Sequence, residues 1–528
     1  MPLSRRFSPL VMLLFSINGM VGSAWLFSAL YSAKIAGPAA IVSWFLGGGA
    51  TILIALTFAE LSTMLPVTGG VTRFFQITHG SLTNMIISWI SWLSCLIIPP
   101  LEVQATLQYA STYYPPIAHI VNGTSVLTPL GLGFATILMT ILCILNIASF
   151  KGLVRSNFLL FIYKIFVIIA IIGFFMKTRF HPTNFIGTFP SFFSADWKAI
   201  FTAVATGGIA FAFAGFTHGV ALAGESKNAQ FGIPFAVIGS VIFCLLLYVG
   251  LQAAFIGVVE PSSIQNGWSQ LSFSGQSGPF VGLATALGLF WLVKLIYVDT
   301  VVSPLGTGLI YVTSTARIVF AMSKNGYFPA VFSKVNQAGF PVWAIILNFV
   351  VGLFLFLPLP GWQEMVSFFV SLMVISYIVG PICLLCMRLQ LPLEKRYFRM
   401  PLVYVMTPLA FYFCNLIVYW TGWDILQKSA IAITIGFFIL LIAFFRGLID
   451  KKHFGLRSIV WLLPYFIGIF SISYLGTFGG KGYISTGMDF LVIGIFSIVT
   501  FILAILTRQK DASEQFQIYL TESKTLSS

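Results

Sequence analysis

Charge is what this sequence has least of: Lys, Arg, Asp and Glu make up 8% of its 528 residues, while 58% are apolar. Such a balance excludes a soluble domain and implies a chain that crosses a membrane many times. Acidic residues are scarcer than basic ones, 14 against 28, for a formal net charge of +14. In a soluble domain that excess would suggest nucleic acid. Here no basic block stands clear of the apolar runs, so a nucleic-acid partner is excluded and the excess is read through its placement. Cysteine is sparse. Cys95, Cys143, Cys244, Cys383, Cys386 and Cys414 all fall inside apolar runs, so no disulfide framework follows. The Cys383-x-x-Cys386 pair has no partnering His or Cys and reads as packing. Histidines number 5 and are scattered; there is no His-Glu-x-x-His, no Gly-x-Ser-x-Gly and no phosphate loop. No metal, no cofactor and no enzyme is expected.

What the chain has is apolar runs long enough to span a bilayer, at roughly 20 residues each. They fall near 8–31, 37–64, 82–112, 128–149, 156–176, 198–222 and 233–258, then 281–320, 342–358, 366–388, 401–420, 430–447, 457–475 and 488–507. That makes about fourteen, of which 281–290 can stand as a separate outer helix and 342–358 is short. An even number puts both termini on one side. Between helices, the opposite side holds only Lys34, Lys177, Arg179, Lys198, Lys428 and Lys481. Lys164 and Lys294 fall inside spans, and every other Lys and Arg lies on the side of the termini, which marks them as cytoplasmic. Arg5, Arg6, the first apolar run and Gly22-Ser23-Ala24 imitate a cleaved signal peptide. Apolar character resumes at once through Leu30, so an uncleaved first span is expected. The polar residues 508–528 read as a disordered cytoplasmic tail.

Residues 15–27 are the stretch that a plain membrane helix does not explain. Asn18, Gly19, Gly22 and Ser23 lie together there, although each Gly costs about 1 kcal/mol against Ala in a helix. In hydrocarbon, backbone groups leave helical bonding only where protein, water or a ligand takes them over. A half-helix beginning at such a break would aim free N–H groups and a positive dipole end at an anion. A second cluster, Gly207, Gly208, Gly215 and Gly219, falls in the sixth run. Breaks five spans apart suggest a 5+5 inverted repeat, because a unit with an odd number of helices re-enters from the opposite side. The plainer reading, that these glycines only let helices pack closely, stays open on the residues alone.

Gly37-Pro38, Phe58-Ala59-Glu60-Leu61-Ser62 and Pro66-Val67-Thr68-Gly69-Gly70 closely resemble the second helix and loop of amino acid-polyamine-organocation permeases. Gly19 with Gly22-Ser23, the run 211–216 with Gly224-Glu225-Ser226-Lys227-Asn228, and Thr313 to Arg317 followed by Ala321 to Pro329 resemble the same family in order and spacing. Val298 to Pro304 and the helix number look most like its aspartate/glutamate:proton symporter branch. The resemblance implies an all-α integral membrane protein of the LeuT-like fold. Residues 1–390 would form the ten-helix transport core with discontinuous helices one and six, and 391–507 four additional spans. It further implies a secondary active transporter that takes up an amino acid by alternating access, with protons as coupling ion and lipid around it. An amino acid/amine exchanger and a non-transporting amino acid sensor would share the motifs.

By the same resemblance, the substrate carboxylate is bound by the Ser23 hydroxyl and the N–H groups around Gly22, Ser23 and Ala24. Its amino group is bound by the carbonyls of Met20, Phe211 and Ala214, and Phe213, Phe216 and Thr217 line or gate the pocket. Two positions depart from the family: Ala24 stands where a third Gly is usual, and Thr217 where many members carry Glu or Asp. His218 either compensates for the latter or points into a helix interface, the reading favoured here. Lys164 lies about 8 residues, roughly 12 Å, into the fifth helix, at a depth where a charge costs at least about 2.5–3.5 kcal/mol. It matches the fifth-helix Lys that, in some members, takes the region used by sodium in related transporters. It is therefore the coupling candidate, with a permanently charged pin against helix-one carbonyls as its alternative. Glu60 and Glu225 are expected to pair with loop cations. Glu102, after Pro99-Pro100, is open between partnering a cation and relaying protons. Lys294 and Asp299 are placed near the outer interface.

Overall fold

The computed structural model describes residues 7–66, 71–121, 124–148, 150–186, 196–271, 278–336, 339–447, 455–510 and 512–525. Every expected span is helical. The first is in two pieces, α1 (Pro9–Met20) and α2 (Ala24–Ala36). Ser8 caps α1 by accepting the Val11 N–H at 3.3 Å, with Pro9 in the first turn where its missing N–H costs nothing. Gly37, at φ 59, turns the chain into α3 (Ala40–Met64). Then come α4 (Val71–His79), α5 (Ser81–Leu96) and α6 (Ile98–Ala110), the last two divided where Pro99 and Pro100 cannot donate to the preceding turn. Strands β1 (Ala118–Val121) and β2 (Thr124–Leu127) pair antiparallel with Ala118 opposite Leu127, a small exception to the all-helical expectation. The family-like residues 67–70 lie outside the described residues.

The chain continues through α7 (Pro129–Ala148), α8 (Phe150–Thr178) and a single turn, α9 (Thr183–Ile186). The sixth span is α10 (Trp197–Thr206), α11 (Ile209–Ala212) and α12 (Thr217–Ala221), followed by α13 (Ala229–Val258), α14 (Pro279–Ala286) and α15 (Phe290–Lys324). After α16 (Val342–Phe354) come α17 (Trp362–Tyr377) and α18 (Val379–Gln390), which are buried nearly all round. The remainder is α19 (Val403–Trp420), α20 (Trp423–Phe445), α21 (Leu456–Ile459), α22 (Leu462–Leu475), α23 (Met488–Leu506) and α24 (Ser513–Thr525).

Helices five spans apart pack on one another: α1 on α12, α3 on α13, α6 on α15 and α7 on α16. That pairing is what a two-fold axis between inverted halves produces. Among the described residues, 10 stretches are long and apolar enough to cross a membrane, or 11 with the bent sixth span. One of them, Ala24–Met64, turns at Gly37 and holds both α2 and α3; Pro9–Met20 and Val342–Phe354 are apolar but shorter. Leu159, Ile162, Phe166 and Ile169 point outward from α8, while Lys164 on the same helix is wholly buried. The helix thus turns its apolar face to lipid and its one mid-span charge inward.

Two expectations are corrected. Asp299 does not reach the outer surface. A break at 287–289, with Gly288 at φ 70, starts α15 at Phe290, and Asp299 is turned fully inward while Lys294 stays exposed. The tail read as disordered carries α24: Ala512, Phe516 and Tyr519 recur at helical spacing and are buried, and the Arg73 guanidinium sits 4.7 Å from the Tyr519 ring centre.

Ion pairs close the end of the bundle that carries the N-terminus. Glu60, fully buried, accepts from Arg388 Nε at 2.8 Å and Nη2 at 2.7 Å and from the Met400 N–H at 2.7 Å, with Arg396 Nε at 3.4 Å. Removing one member of a buried pair leaves the other uncompensated. Glu60→Gln is therefore expected to lower stability by about 3 kcal/mol, near the low end for buried pairs because Arg388 keeps some water; a thermal melt in detergent checks this. Phe7 pairs in parallel with Ser226, its N–H donating to Glu225 O at 3.1 Å and its C=O accepting the Lys227 N–H at 2.9 Å. Arg317 Nη1 lies 3.9 Å from Glu225 Oε1.

Candidate functional site

The first helix stops because Val21, at φ −89 and ψ 73, leaves helical geometry after its N–H bonds Ile17 O at 2.9 Å. Carbonyls and an N–H at the break are met by side chains from other helices, as a low-dielectric interior demands. Lys164 Nζ, from α8, donates to Val21 O at 2.8 Å and Asn18 O at 3.3 Å. The Thr307 hydroxyl, from α15, donates to Asn18 O at 3.3 Å. Tyr248 on α13 gives its hydroxyl proton to Met20 O at 2.9 Å. At the head of α2, the Ser23 N–H donates to Glu102 Oε2 at 2.8 Å, and the Ser23 hydroxyl accepts the Trp362 indole N–H at 2.8 Å.

The sixth helix breaks at Gly207 and Gly208, the latter at φ 90, and bends by 44°. Beyond it, the Phe213 N–H bonds the carbonyls of Ala210 and Phe211, while Ala214 O accepts the Tyr377 hydroxyl at 3.2 Å and the Thr217 hydroxyl at 3.1 Å. The glycines serve both readings that the sequence left open. A Cβ on Gly215 would lie 2.4 Å from Met20 N and 2.5 Å from Gly19 C, so the two broken helices touch backbone to backbone. One on Gly22 would lie 2.3 Å from Glu102 Oε1, and one on Gly19 would lie 2.2 Å from His218 Cδ2.

Ser23, Met20 and Ala214 thus converge with Gly22 and buried Ala24 on one locus between the breaks. The aromatic residues divide. Phe211 joins Trp362, Phe27 and Tyr31, with Tyr31 and Trp362 stacked at 5.5 Å. Phe216 packs with Phe58 and Tyr377 on the opposite side. Phe213 turns away into Trp44 and Tyr248, at 5.8 and 6.2 Å. His218 points into the interface, edge-on to Tyr311 at 4.8 Å.

At the break lie three wholly buried charged groups, Lys164 close enough to interact electrostatically with Glu102 on one hand and Asp299 on the other. Asp299 Oδ2 accepts the Ser303 hydroxyl at 2.7 Å. Glu102 Oε1 has no hydrogen-bond donor among the described residues. Trp362, Tyr248, Tyr377 and Thr307 were not singled out from sequence. Among 12 Trp, 18 Tyr and 54 Phe no single ring stands out, though a Tyr deep in an apolar run is itself a signal, because its hydroxyl needs a partner there.

The comparisons with known proteins agree with this geometry. A family model described as amino acid permease matches residues 7–445. The chain is 37% identical over 514 residues to the glutamate/serine transporter AimA of Bacillus subtilis (strain 168), across 95% of this chain and 94% of that protein. It is 32% identical over 496 residues to the aspartate-proton symporter of the same organism, across 93% and 94%. A branched-chain amino acid permease, BcaP, is 26% identical over 474 residues, across 86% and 95%. With two broken helices facing each other inside a multi-pass membrane bundle, the chain belongs to the amino acid permease family and is a secondary amino acid transporter.

Proposed function

We propose that this transporter moves an acidic or small polar amino acid into the cell together with protons, from a site between the two breaks. The observation that carries this reading is the bond from the Ser23 N–H to Glu102: the head of α2 already holds a carboxylate at 2.8 Å. A substrate carboxylate suits the same N–H and the Ser23 hydroxyl, beside Gly22 and Ala24. The carbonyls of Met20, Phe211 and Ala214 suit an ammonium group, each charge offsetting the other's desolvation. Glutamate, serine and aspartate are the substrates that the relatives' names suggest. Phe211 and Trp362 would open toward the outside, and Phe216, Tyr377 and the Glu60 ion pairs toward the cytoplasm, where the termini lie in a cell-membrane protein. Residues 1–390 would form the moving core and 391–507 a flank, with α19 packed on α10, α17 and α18.

Lys164 would keep the carbonyls of Asn18 and Val21 in place where related carriers use sodium. The deciding experiment is uptake of labelled glutamate, aspartate and serine into sodium-free proteoliposomes with and without an inside-alkaline gradient. Uphill accumulation only with the gradient is expected. Uptake only against preloaded amino acid or amine would replace symport by exchange, and no flux from folded protein would overturn the proposal.

A further inference from the structure

Glu102 is a carboxylate in a place that has room for one anion. Its Oε2 takes the Ser23 N–H at 2.8 Å, and the missing side chain of Gly22 makes the space that Oε1 and Cδ fill, at 2.3 and 3.1 Å from where a Cβ would stand. Neither oxygen is paired with an arginine or lysine by a direct hydrogen bond: Lys164 spends its bonds on Val21 O and Asn18 O. The charged and titratable groups that face Glu102 are Lys164 on α8, Tyr311 on α15 and Tyr248 on α13, and Lys164 in turn faces Asp299 on α15.

We infer that the Glu102 carboxylate is a built-in competitor for the substrate's carboxylate, and that an amino acid binds only as Glu102 gives up the Ser23 N–H and takes a proton. This rests on Ser23 being the carboxylate subsite. Two carboxylates at one N–H in a low-dielectric interior repel, so one must become neutral. The substrate has its own ammonium partner and keeps its charge; Glu102 takes the proton on Oε2 from water on the side from which the substrate arrives. One anion stands at the head of α2 before and after, so the cluster with Lys164 and Asp299 keeps its net charge. When the substrate departs, Glu102 releases the proton on the far side and recovers the N–H. One proton is thereby tied to each carboxylate carried. An amine without a carboxylate has nothing to exchange for Glu102 and binds without taking up a proton.

The test uses full-length protein with serine, glutamate and ethanolamine, the last being serine without its carboxylate. In wild type, serine affinity should fall about tenfold per pH unit above the ionisation of Glu102, the slope of one linked proton, while Glu102→Gln should bind with no such slope. Glu102→Gln should still exchange serine for serine but lose gradient-driven accumulation. Infrared difference spectra of wild type should show serine creating one protonated carboxyl group, with ethanolamine creating none. That measurement decides the matter even if Glu102→Gln fails to fold. A Glu102→Gln protein that keeps the wild-type slope, a slope abolished by Asp299→Asn instead, or a serine spectrum without the carboxyl band would overturn the inference while leaving transport intact. Failure of folded wild type to bind either serine or glutamate at any pH would overturn the transport reading and this inference together.

Discussion

Gly215→Ala is expected to abolish uptake, and the loss should come with a fall in stability. The added methyl would stand 2.4 Å from Met20 N, 2.5 Å from Gly19 C and 2.8 Å from Ser16 O, all backbone atoms. No rotamer change relieves such a contact, so the broken halves of the first and sixth helices must part. Overpacking of a close interior costs about 1–3 kcal/mol, and here the whole displacement falls on the site itself. Gly49→Ala is the matched control, because nothing lies within 4 Å of its Cβ position and it faces outward from α3. There the better helix propensity of Ala, up to about 1 kcal/mol, should leave stability equal or higher and uptake unchanged. Thermal melts and uptake rates on the two variants separate steric closure of the site from a general intolerance of glycine replacement.

Lys164→Met should have an effect of similar size by a different route. The ammonium supplies the donors for Val21 O and Asn18 O and the positive charge that faces Glu102 and Asp299. Without it, the two buried carboxylates that it serves lose their shared cation, and a buried charge left unpaired costs about 3–5 kcal/mol. Gradient-driven uptake should be lost, because the helix-one carbonyls Val21 O and Asn18 O lose the ammonium that holds them at the site. Adding Asp299→Asn should restore much of the stability, since it removes one uncompensated anion, but not the uptake, because Val21 O still lacks its 2.8 Å ammonium donor. If Lys164→Met alone kept gradient-driven uptake, the lysine would be neither pin nor coupling group.

Most of the fold was legible because its causes are local and compositional. Apolar runs set the spans, the two glycine clusters marked the breaks, and Pro99-Pro100 marked the split of the third span. What was not legible came from tertiary placement. Asp299 looked superficial because its 18-residue distance before Arg317 gives depth along the helix but not the direction it faces, and packing turns it inward on α15. The tail looked disordered because its mean character is polar; only the spacing of Ala512, Phe516 and Tyr519 hints at the face that docks. At the site, Ser23 and Met20 were legible from the break, but which side chains hold them was not. Trp362 is 339 residues from Ser23 and Tyr248 is 228 from Met20, separations over which no sequence pattern indicates a contact. Glu102 could be noticed as a mid-span acid, yet its bond to Ser23 N–H needs the folded bundle.

The short pairing of Phe7 with Glu225 and Lys227 has a mechanical consequence. It stitches the segment leading into α1 to the segment leaving α12 by two backbone hydrogen bonds, 3.1 and 2.9 Å long. The inner halves of the two broken helices are therefore yoked at their ends, and a displacement of one is expected to be carried to the other through this link. The link is made by main-chain atoms alone, so it does not depend on which side chains line the path.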